Sequence, residues 1–186
     1  MQRQIILASQ SPRRRELMMM CKLPFTDVNP ACEEIIRHDI PLNQAIAELA
    51  YTKAKAVFDR YPQAAVVGAD TIVVLDKEVL GKPKDEEDAV RMLRLLSGKK
   101  HQVITGVAVL SEEEETIFFD ETLVEFYHLS DEEIFEYVKT REPLDKAGAY
   151  GIHARGALFV KKIDGDYYSV MGLPIAPVYK LLQKYL

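Results

Sequence analysis

Leu7-Ala8-Ser9-Gln10-Ser11-Pro12-Arg13-Arg14-Arg15-Glu16-Leu17 joins a short apolar strand to a helix through a polar turn. Ser11 is a suitable N-cap, because its hydroxyl can accept a hydrogen bond from an unpaired amide of the first helical turn. Pro12 suits the first helical position, since it lacks the N–H group that would have no partner there. The stretch therefore predicts a strand that leads directly into a helix beginning at this turn.

The same turn is a candidate phosphate site. Free backbone N–H groups and the positive end of the helix dipole favour an anion at a helix N-terminus. Ser9, Arg13 and Arg14 would add a hydroxyl and two guanidinium groups, and guanidinium groups bind phosphate oxygens well. A capped surface helix with solvated arginines is the alternative, and from these residues alone it is slightly favoured.

Around this turn the pattern predicts a β-α-β unit that opens an α/β fold. Gln4 to Ala8 contains consecutive apolar residues, which is typical of a buried strand, and Phe25 to Val28 follows the first helix as a second strand. Between Pro41 and Arg60 apolar residues recur at helical spacing, which predicts the longest helix of the chain. Residues 29–39 show no clean period and are predicted to form a loop, with a turn of helix inside it as the alternative.

The rest of the chain alternates strands and helices. Ala64 to Leu75 is apolar and β-branched on both sides of Gly68-Ala69-Asp70-Thr71, which predicts two central strand segments with a bend at Asp70. The later patterns predict a helix over 85–96, a hairpin of 102–110 with 116–126, a helix from the Ser130–Glu133 capping box to Thr140, a strand over 157–163 and a last helix from about Pro174.

Composition narrows the classes of function. The 186 residues are 48% hydrophobic, which indicates one globular domain over 1–186, with two lobes around a cleft as one arrangement of it. The formal net charge of −5 disfavours nucleic-acid binding through an overall positive field. Cys21 and Cys32 lack CxxC spacing and no secretory apolar region opens the sequence, so we expect a cytoplasmic protein without disulfides. No apolar run approaches the roughly 20 residues of a bilayer span, which predicts a soluble protein with no membrane partner.

Charged residues in apolar surroundings are further candidates for a site, since Walker A, Rossmann, nucleophile-elbow and zinc-protease motifs are all missing from the sequence. Asp70 follows an apolar strand, and a buried carboxylate needs a cation, a metal or a donor to offset its desolvation. Lys53 and Lys82 are the candidate cations, and Glu33 or Glu34 is the candidate second carboxylate for a hard metal. The alternatives are a structural carboxylate at position 70 and a lysine at position 53 whose ammonium group stays in water.

Five motifs, in order along the chain, resemble those of the Maf family of nucleoside triphosphate pyrophosphatases. They are Leu7 to Arg14, Gly68-Ala69-Asp70-Thr71, Gly81-Lys82-Pro83, Asp145 to Ile152 and Asp164 to Pro174. Together they span nearly the whole chain, so the set is far more specific than any single motif. The resemblance implies an elongated α/β fold, with a mixed sheet, flanking helices and two lobes around a cleft, related in architecture to the inosine triphosphate pyrophosphatases.

The resemblance also implies an activity and the residues for it. Family members cleave a nucleoside triphosphate to the monophosphate and pyrophosphate with a divalent metal, for which we expect Mg²⁺ or Mn²⁺. By resemblance, Asp70 is the catalytic residue. We expect it to act as the general base and to bind the metal together with Glu33. The expected substrate-binding side chains are those of Ser9, Arg13, Lys53 and Lys82, and the helix-terminus argument adds Arg14.

Base selectivity is where the sequence departs from the family pattern. In the subgroup that acts on dTTP and UTP, selectivity goes with an arginine, a threonine and a glutamine, which correspond here to Arg13, Thr71 and His153. The usual Gly-Ile-Gln-Gly is Gly151-Ile152-His153-Ala154 in this chain. We expect pyrimidine triphosphates, modified ones included, to be preferred with a discrimination that depends on pH as the imidazole titrates. The alternative is that His153 faces solvent and backbone groups read the base.

Two other classes of function are weighed against this one. A nucleotide-binding regulator of septum formation and cell division would hold a triphosphate without significant turnover, and the intact Asp70 argues against it. A nucleic-acid-binding factor would need a basic stripe with interleaved aromatic residues, which this chain lacks. For the quaternary state, a homodimer is kept open.

Overall fold

The chain folds into a seven-stranded mixed sheet with flanking helices. The structure is a computed structural model, and it describes residues 3–186. The strands are β1 (Ile5–Ala8), β2 (Phe25–Asp27), β3 (Ala65–Leu75), β4 (Glu78–Leu80), β5 (Lys100–Leu110), β6 (Glu115–Phe126) and β7 (Val160–Asp164). The α-helices are α1 (Pro12–Met20), α2 (Leu42–Phe58), α3 (Glu86–Leu96), α4 (Asp131–Val138), α5 (Tyr167–Met171) and α6 (Ile175–Leu182). The sheet order is β2-β1-β3-β5-β6-β7, with β4 paired to β3, and the predicted α/β class is confirmed.

Residues 3–70, 105–120 and 172–186 form one compact unit. In this unit β1 lies between β2 and β3 and is parallel to both, with Ile5 opposite Phe25 on one side and Ala65 on the other. Every residue of β1 is buried, which explains why its sequence is apolar without alternation. Ala50 and Ala54 of α2 pack in the same buried cluster as β1 and β3 residues, so small side chains bring this helix close to the sheet.

Residues 71–104 and 121–171 form the second compact unit. It contains the antiparallel pairs β3 with β4 and β6 with β7. The N-cap of α4 is Ser130, whose side chain accepts from the Glu133 amide while the Glu133 side chain accepts from the Ser130 amide, so the predicted capping box is confirmed. Across residues 3–186, the structure has no helix long and apolar enough to span a membrane.

The central strand corrects one prediction. The sequence predicts two segments with a bend at Asp70, whereas β3 is continuous from Ala65 to Leu75. The prediction is wrong because Gly68 serves helix packing and not a bend: a Cβ at this position would lie 2.4 Å from the carbonyl oxygen of Ala50 and 2.8 Å from the amide nitrogen of Ala54. The glycine therefore allows α2 to approach β3 closely.

Two further differences lie near the C-terminal motifs. The strand predicted over 157–163 is in fact a 3₁₀ turn over Arg155–Phe159 followed by β7. The short helix α5 is not predicted, although Asp166 accepts hydrogen bonds from the amides of Tyr168 and Ser169 as an N-terminal capping carboxylate does.

Residues 29–39 contain neither helix nor strand, as predicted.

Candidate active site

The turn between β1 and α1 has the capped geometry that its sequence predicts. The Ser11 hydroxyl accepts a long hydrogen bond, 3.5 Å, from the Arg14 amide, and Pro12 is the first residue of α1. Ser9 is buried, and its hydroxyl accepts a hydrogen bond of 3.1 Å from the Ser11 amide. The two serines therefore fix the backbone at a helix N-terminus, where an anion would be favoured.

Arg14 forms hydrogen bonds through its side chain as well as through its backbone amide. Its Nε donates a hydrogen bond of 2.8 Å to the carbonyl oxygen of Gly172, which attaches α1 to the chain that precedes α6. Burial lowers the pKa of this guanidinium, and the negative charge of Asp70 acts in the opposite direction. Arg14 thus has a structural contact that the sequence does not reveal. Arg13, beside it, is half-buried.

Lys53 and Asp70 meet in the first compact unit as a buried ion pair. Nζ of Lys53 lies 2.5 Å from Oδ1 of Asp70, and the side chains are 7% and 13% exposed. Asp70 lies in β3 and Lys53 in α2, so the close packing at Gly68 brings the helix carrying the cation against the strand carrying the carboxylate. The alternative in which the ammonium group of Lys53 stays in water is therefore wrong.

Glu34 is the second carboxylate at this lysine. Its Oε1 lies 2.9 Å from Nζ of Lys53, while its side chain is 62% exposed. Glu33, which the family resemblance selects as a metal ligand, is exposed in the same loop. The ammonium group therefore lies within contact of two carboxylates on different elements, which is a strong local concentration of charge. Among residues 3–186, no group of three or more His, Cys, Asp or Glu side chains has an arrangement that could hold a metal ion.

The remaining predicted site residues belong to the second compact unit. Thr71 follows Asp70 directly in β3 and is half-buried. Lys82 is exposed just after β4, and the buried Pro83 follows it. His153 is half-buried between Gly151 and the 3₁₀ turn that begins at Arg155. These three positions stay predictions as substrate contacts.

Comparison with known proteins identifies the family. A family model described as "Maf-like protein" matches residues 4–185. The "dTTP/UTP pyrophosphatase" of Geobacillus sp. (strain WCH70) is 52% identical, with 94% of each chain covered. The protein of the same name from Bacillus velezensis is 48% identical over 100% of this chain and 98% of its own.

A solved structure shows the same fold at much lower sequence identity. The Staphylococcus aureus Ham1 protein superposes with a TM-score of 0.57 and 14% identity, covering 99% of this chain and all of its own. This likeness supports the predicted architecture alone. The family model covers nearly the whole chain, and the two relatives are about half identical to it over nearly their full lengths. Together with the turn before α1 and the strand that carries Asp70, these matches show that this chain belongs to the Maf family.

Proposed function

We propose that this protein hydrolyses dTTP and UTP to the nucleoside monophosphate and pyrophosphate, in the cytoplasm. The observation that carries the proposal is the buried Lys53–Asp70 pair, with a 2.5 Å contact, in a chain 48–52% identical to proteins named for this activity. A carboxylate that a lysine holds, and whose charge acts on Arg14 in the first turn of α1, suits attack of water on a phosphate anhydride. Hydrolysis of modified pyrimidine triphosphates is part of the same proposal.

Asp70 is proposed as the general base. Attack of water on the α-phosphorus expels pyrophosphate, so the base must hold the water in line and accept its proton. The Lys53 ammonium contacts Oδ1 of Asp70. This contact would orient the carboxylate and leave Oδ2 for the water. The main role of Lys53 is then to orient the general base, Asp70. A remaining N–H of its ammonium group can donate to a phosphate oxygen.

The negative charge of the triphosphate needs compensation in an acidic protein. We assign Arg13 and Lys82 to this task, because a guanidinium fork and an ammonium group both suit phosphate oxygens. Ser9 and the amides at the start of α1 would add hydrogen bonds. Arg14 contributes its charge, while its Nε stays with Gly172.

A divalent metal, Mg²⁺ or Mn²⁺, is part of the proposal. Mg²⁺ is commonly held by one or two protein carboxylates together with substrate phosphates, and it retains several waters. Asp70 and Glu33 would supply these two carboxylates, and the phosphate oxygens of the substrate and water would supply the other donors. Carboxylate and phosphate oxygens are the donors that a hard cation prefers, and the cation would neutralise charge on the phosphate oxygens.

A release assay tests the function directly. Purified protein is incubated with UTP, dTTP, CTP, GTP and ATP, with Mg²⁺, with Mn²⁺ or with a chelator, and both pyrophosphate and inorganic phosphate are measured. We expect monophosphate and pyrophosphate from UTP and dTTP in the presence of metal. Release of inorganic phosphate with a diphosphate product would contradict the proposed bond, and tight binding without turnover would favour the regulatory alternative.

A further inference from the structure

Tyr137 is a buried phenol that contacts the segment containing His153. It lies in α4 with 2% exposure. Its hydroxyl donates a hydrogen bond of 2.8 Å to Oε1 of Glu142 and accepts one of 3.0 Å from the amide of Gly151. Burial raises the pKa of Tyr137, and the Glu142 carboxylate acts in the same direction, so the phenol keeps its proton. The hydroxyl is therefore a fixed donor and acceptor between Glu142 and the backbone.

Glu142 holds the other end of the same segment. Its Oε2 accepts a hydrogen bond of 3.3 Å from the Arg155 amide, and its Oε1 accepts a long one of 3.5 Å from the Gly156 amide. With Tyr137, this makes three backbone amides between residues 151 and 156 that two side chains hold. We call residues 151–156 the histidine loop, since His153 lies near its centre.

The glycines of the histidine loop are closely packed against neighbouring residues. A Cβ at Gly151 would lie 2.7 Å from Cε of Lys146, and one at Gly156 would lie 2.7 Å from the Gly151 carbonyl oxygen and 2.9 Å from the Tyr137 hydroxyl. Lys146 is buried, and its Nζ donates hydrogen bonds of 2.7 Å to the Glu142 carbonyl and to Asp145. Hydrogen bonds and close packing thus both constrain the loop.

We propose that Tyr137 and Glu142 are positioning residues, which hold the histidine loop so that His153 meets the base of the substrate. The inference rests on the proposed function and on the family resemblance, by which His153 stands at the position that selects the base. Discrimination between bases requires donors and acceptors fixed to within about half an ångström. A loop whose amides are held at both ends by side chains from α4 and from the turn after it meets this requirement.

Two variants remove the hydrogen bonds with little change of shape. Tyr137→Phe loses the bonds to Glu142 and to the Gly151 amide, and Glu142→Gln turns one acceptor into a donor facing the amide of Arg155 or Gly156. The matched controls are Tyr185→Phe, which removes a buried hydroxyl bonded to Ser111, and Glu133→Gln, which alters a carboxylate that accepts from a backbone amide in the α4 cap.

The readout is kcat and KM for UTP, dTTP and CTP, with melting temperatures measured on the same samples. For both test variants we expect KM for UTP to rise roughly ten-fold, because a lost hydrogen bond is worth about that factor, and the preference over CTP to fall, with a smaller change in kcat. The controls should keep the wild-type KM and preference. In a His153→Ala background, Tyr137→Phe should change the preference little further, because both changes act on one contact.

The possible failures are distinct. If the wild-type protein releases no pyrophosphate from UTP or dTTP, the proposed function fails. If it does, and folded Tyr137→Phe and Glu142→Gln lower kcat equally for every substrate at unchanged KM, then the two residues support only stability and the positioning role is overturned. Full additivity with His153→Ala would also overturn it, as would an unchanged preference in His153→Ala itself.

Discussion

Nζ of Lys53 lies 2.5 Å from Oδ1 of Asp70, although 17 positions separate the two residues in the sequence. The contact is possible because α2 carries alanines where β3 carries Gly68, so the helix that holds Lys53 packs closely against the strand that holds Asp70. A pair with so little exposure is weakly screened by salt. The packing of the core of the first unit thus fixes the position of the Asp70 carboxylate, to which we assign catalysis.

Replacement of Asp70 by asparagine tests the general base. Asn keeps the size of the side chain but neither accepts a proton nor binds a metal well, so we expect turnover of UTP to fall by a factor on the order of 10² to 10⁴. Pyrophosphate release with Mg²⁺ measures the loss, and circular dichroism checks that the fold is retained. Near-normal turnover in a folded Asp70→Asn protein would refute the assignment.

Lys53→Met tests whether the ion pair also stabilises the protein. The change leaves the Asp70 carboxylate largely buried without its cation, and a broken buried pair typically costs about 3 kcal/mol or more in the free energy of unfolding. Urea denaturation measures it. Lys55→Met is the matched control on the same helix, since Lys55 is exposed and pairs with exposed Asp59, and its loss should be small. The double change Lys53→Met with Asp70→Asn should cost less than the sum of the two single changes.

Gly68→Ala tests the close approach that forms the pair. The added Cβ would lie 2.4 Å from a backbone oxygen of α2, which cannot rotate away, so the helix must shift. We expect a lower melting temperature and a loss of turnover that exceeds the unfolded fraction, because Lys53 moves with the helix. Gly81→Ala is the control for stability, since a Cβ there meets nothing within 4 Å. Equal melting temperatures for the two variants would contradict this packing role.

The sequence predicts those parts of the fold that local chemistry decides. The Ser11-Pro12 cap, the Ser130–Glu133 capping box and the apolar period of α2 each contain their own structural signal, and the structure has all three. At Gly68 the same reasoning is wrong, because a glycine in a strand indicates either a bend or a close neighbour, and only the fold decides between them.

The candidate site shows the same limit. The apolar strand around Asp70 predicts that its carboxylate needs a cation, and the place of Lys53 in the predicted long helix makes it a candidate for that cation. Two contacts could not be predicted, that of Glu34 with Lys53 and that of Gly172 with Arg14. Glu34 and Gly172 lie outside the helices and strands, where no periodic pattern in the sequence indicates the path of the backbone. Glu33 as a metal ligand comes from the family pattern and stays a prediction, as do Thr71, Lys82 and His153 as substrate contacts.

Acid should destabilise the second unit through His101. Burial lowers the pKa of this imidazole to about 4, and its Nε2 is hydrogen-bonded to the Tyr150 hydroxyl at 2.8 Å. The unfolded chain binds the proton near pH 6.5, so between about 6.5 and 4 the unfolded state holds more protons and stability falls as the pH falls. The full effect is on the order of 3 kcal/mol, since a tenfold change in proton affinity is about 1.4 kcal/mol.

The free energy of unfolding of wild type and of His101→Gln is measured by urea denaturation from about pH 4.5 to about pH 7.5, a range that spans most of this window. Both proteins contain the same carboxylates, so the difference between the two curves reports on the imidazole. The difference should shrink as the pH falls, because only the wild type loses stability through this group. His38→Gln, at an exposed position, is the control and should run parallel to wild type. Parallel curves for His101→Gln would contradict the predicted effect.

His153→Gln tests how the base is read. A glutamine amide donates and accepts through adjacent atoms, whereas a neutral imidazole does so only from opposite edges of its ring, and a protonated imidazole only donates. If His153 contacts the base, the preference for UTP and dTTP over CTP and GTP should change between about pH 5.5 and 7.5 in wild type and become constant in His153→Gln. Values of kcat/KM for the four triphosphates across this range measure it. Identical, pH-independent profiles in both proteins would show that backbone groups read the base, and a preference for purines would overturn the proposed substrate class.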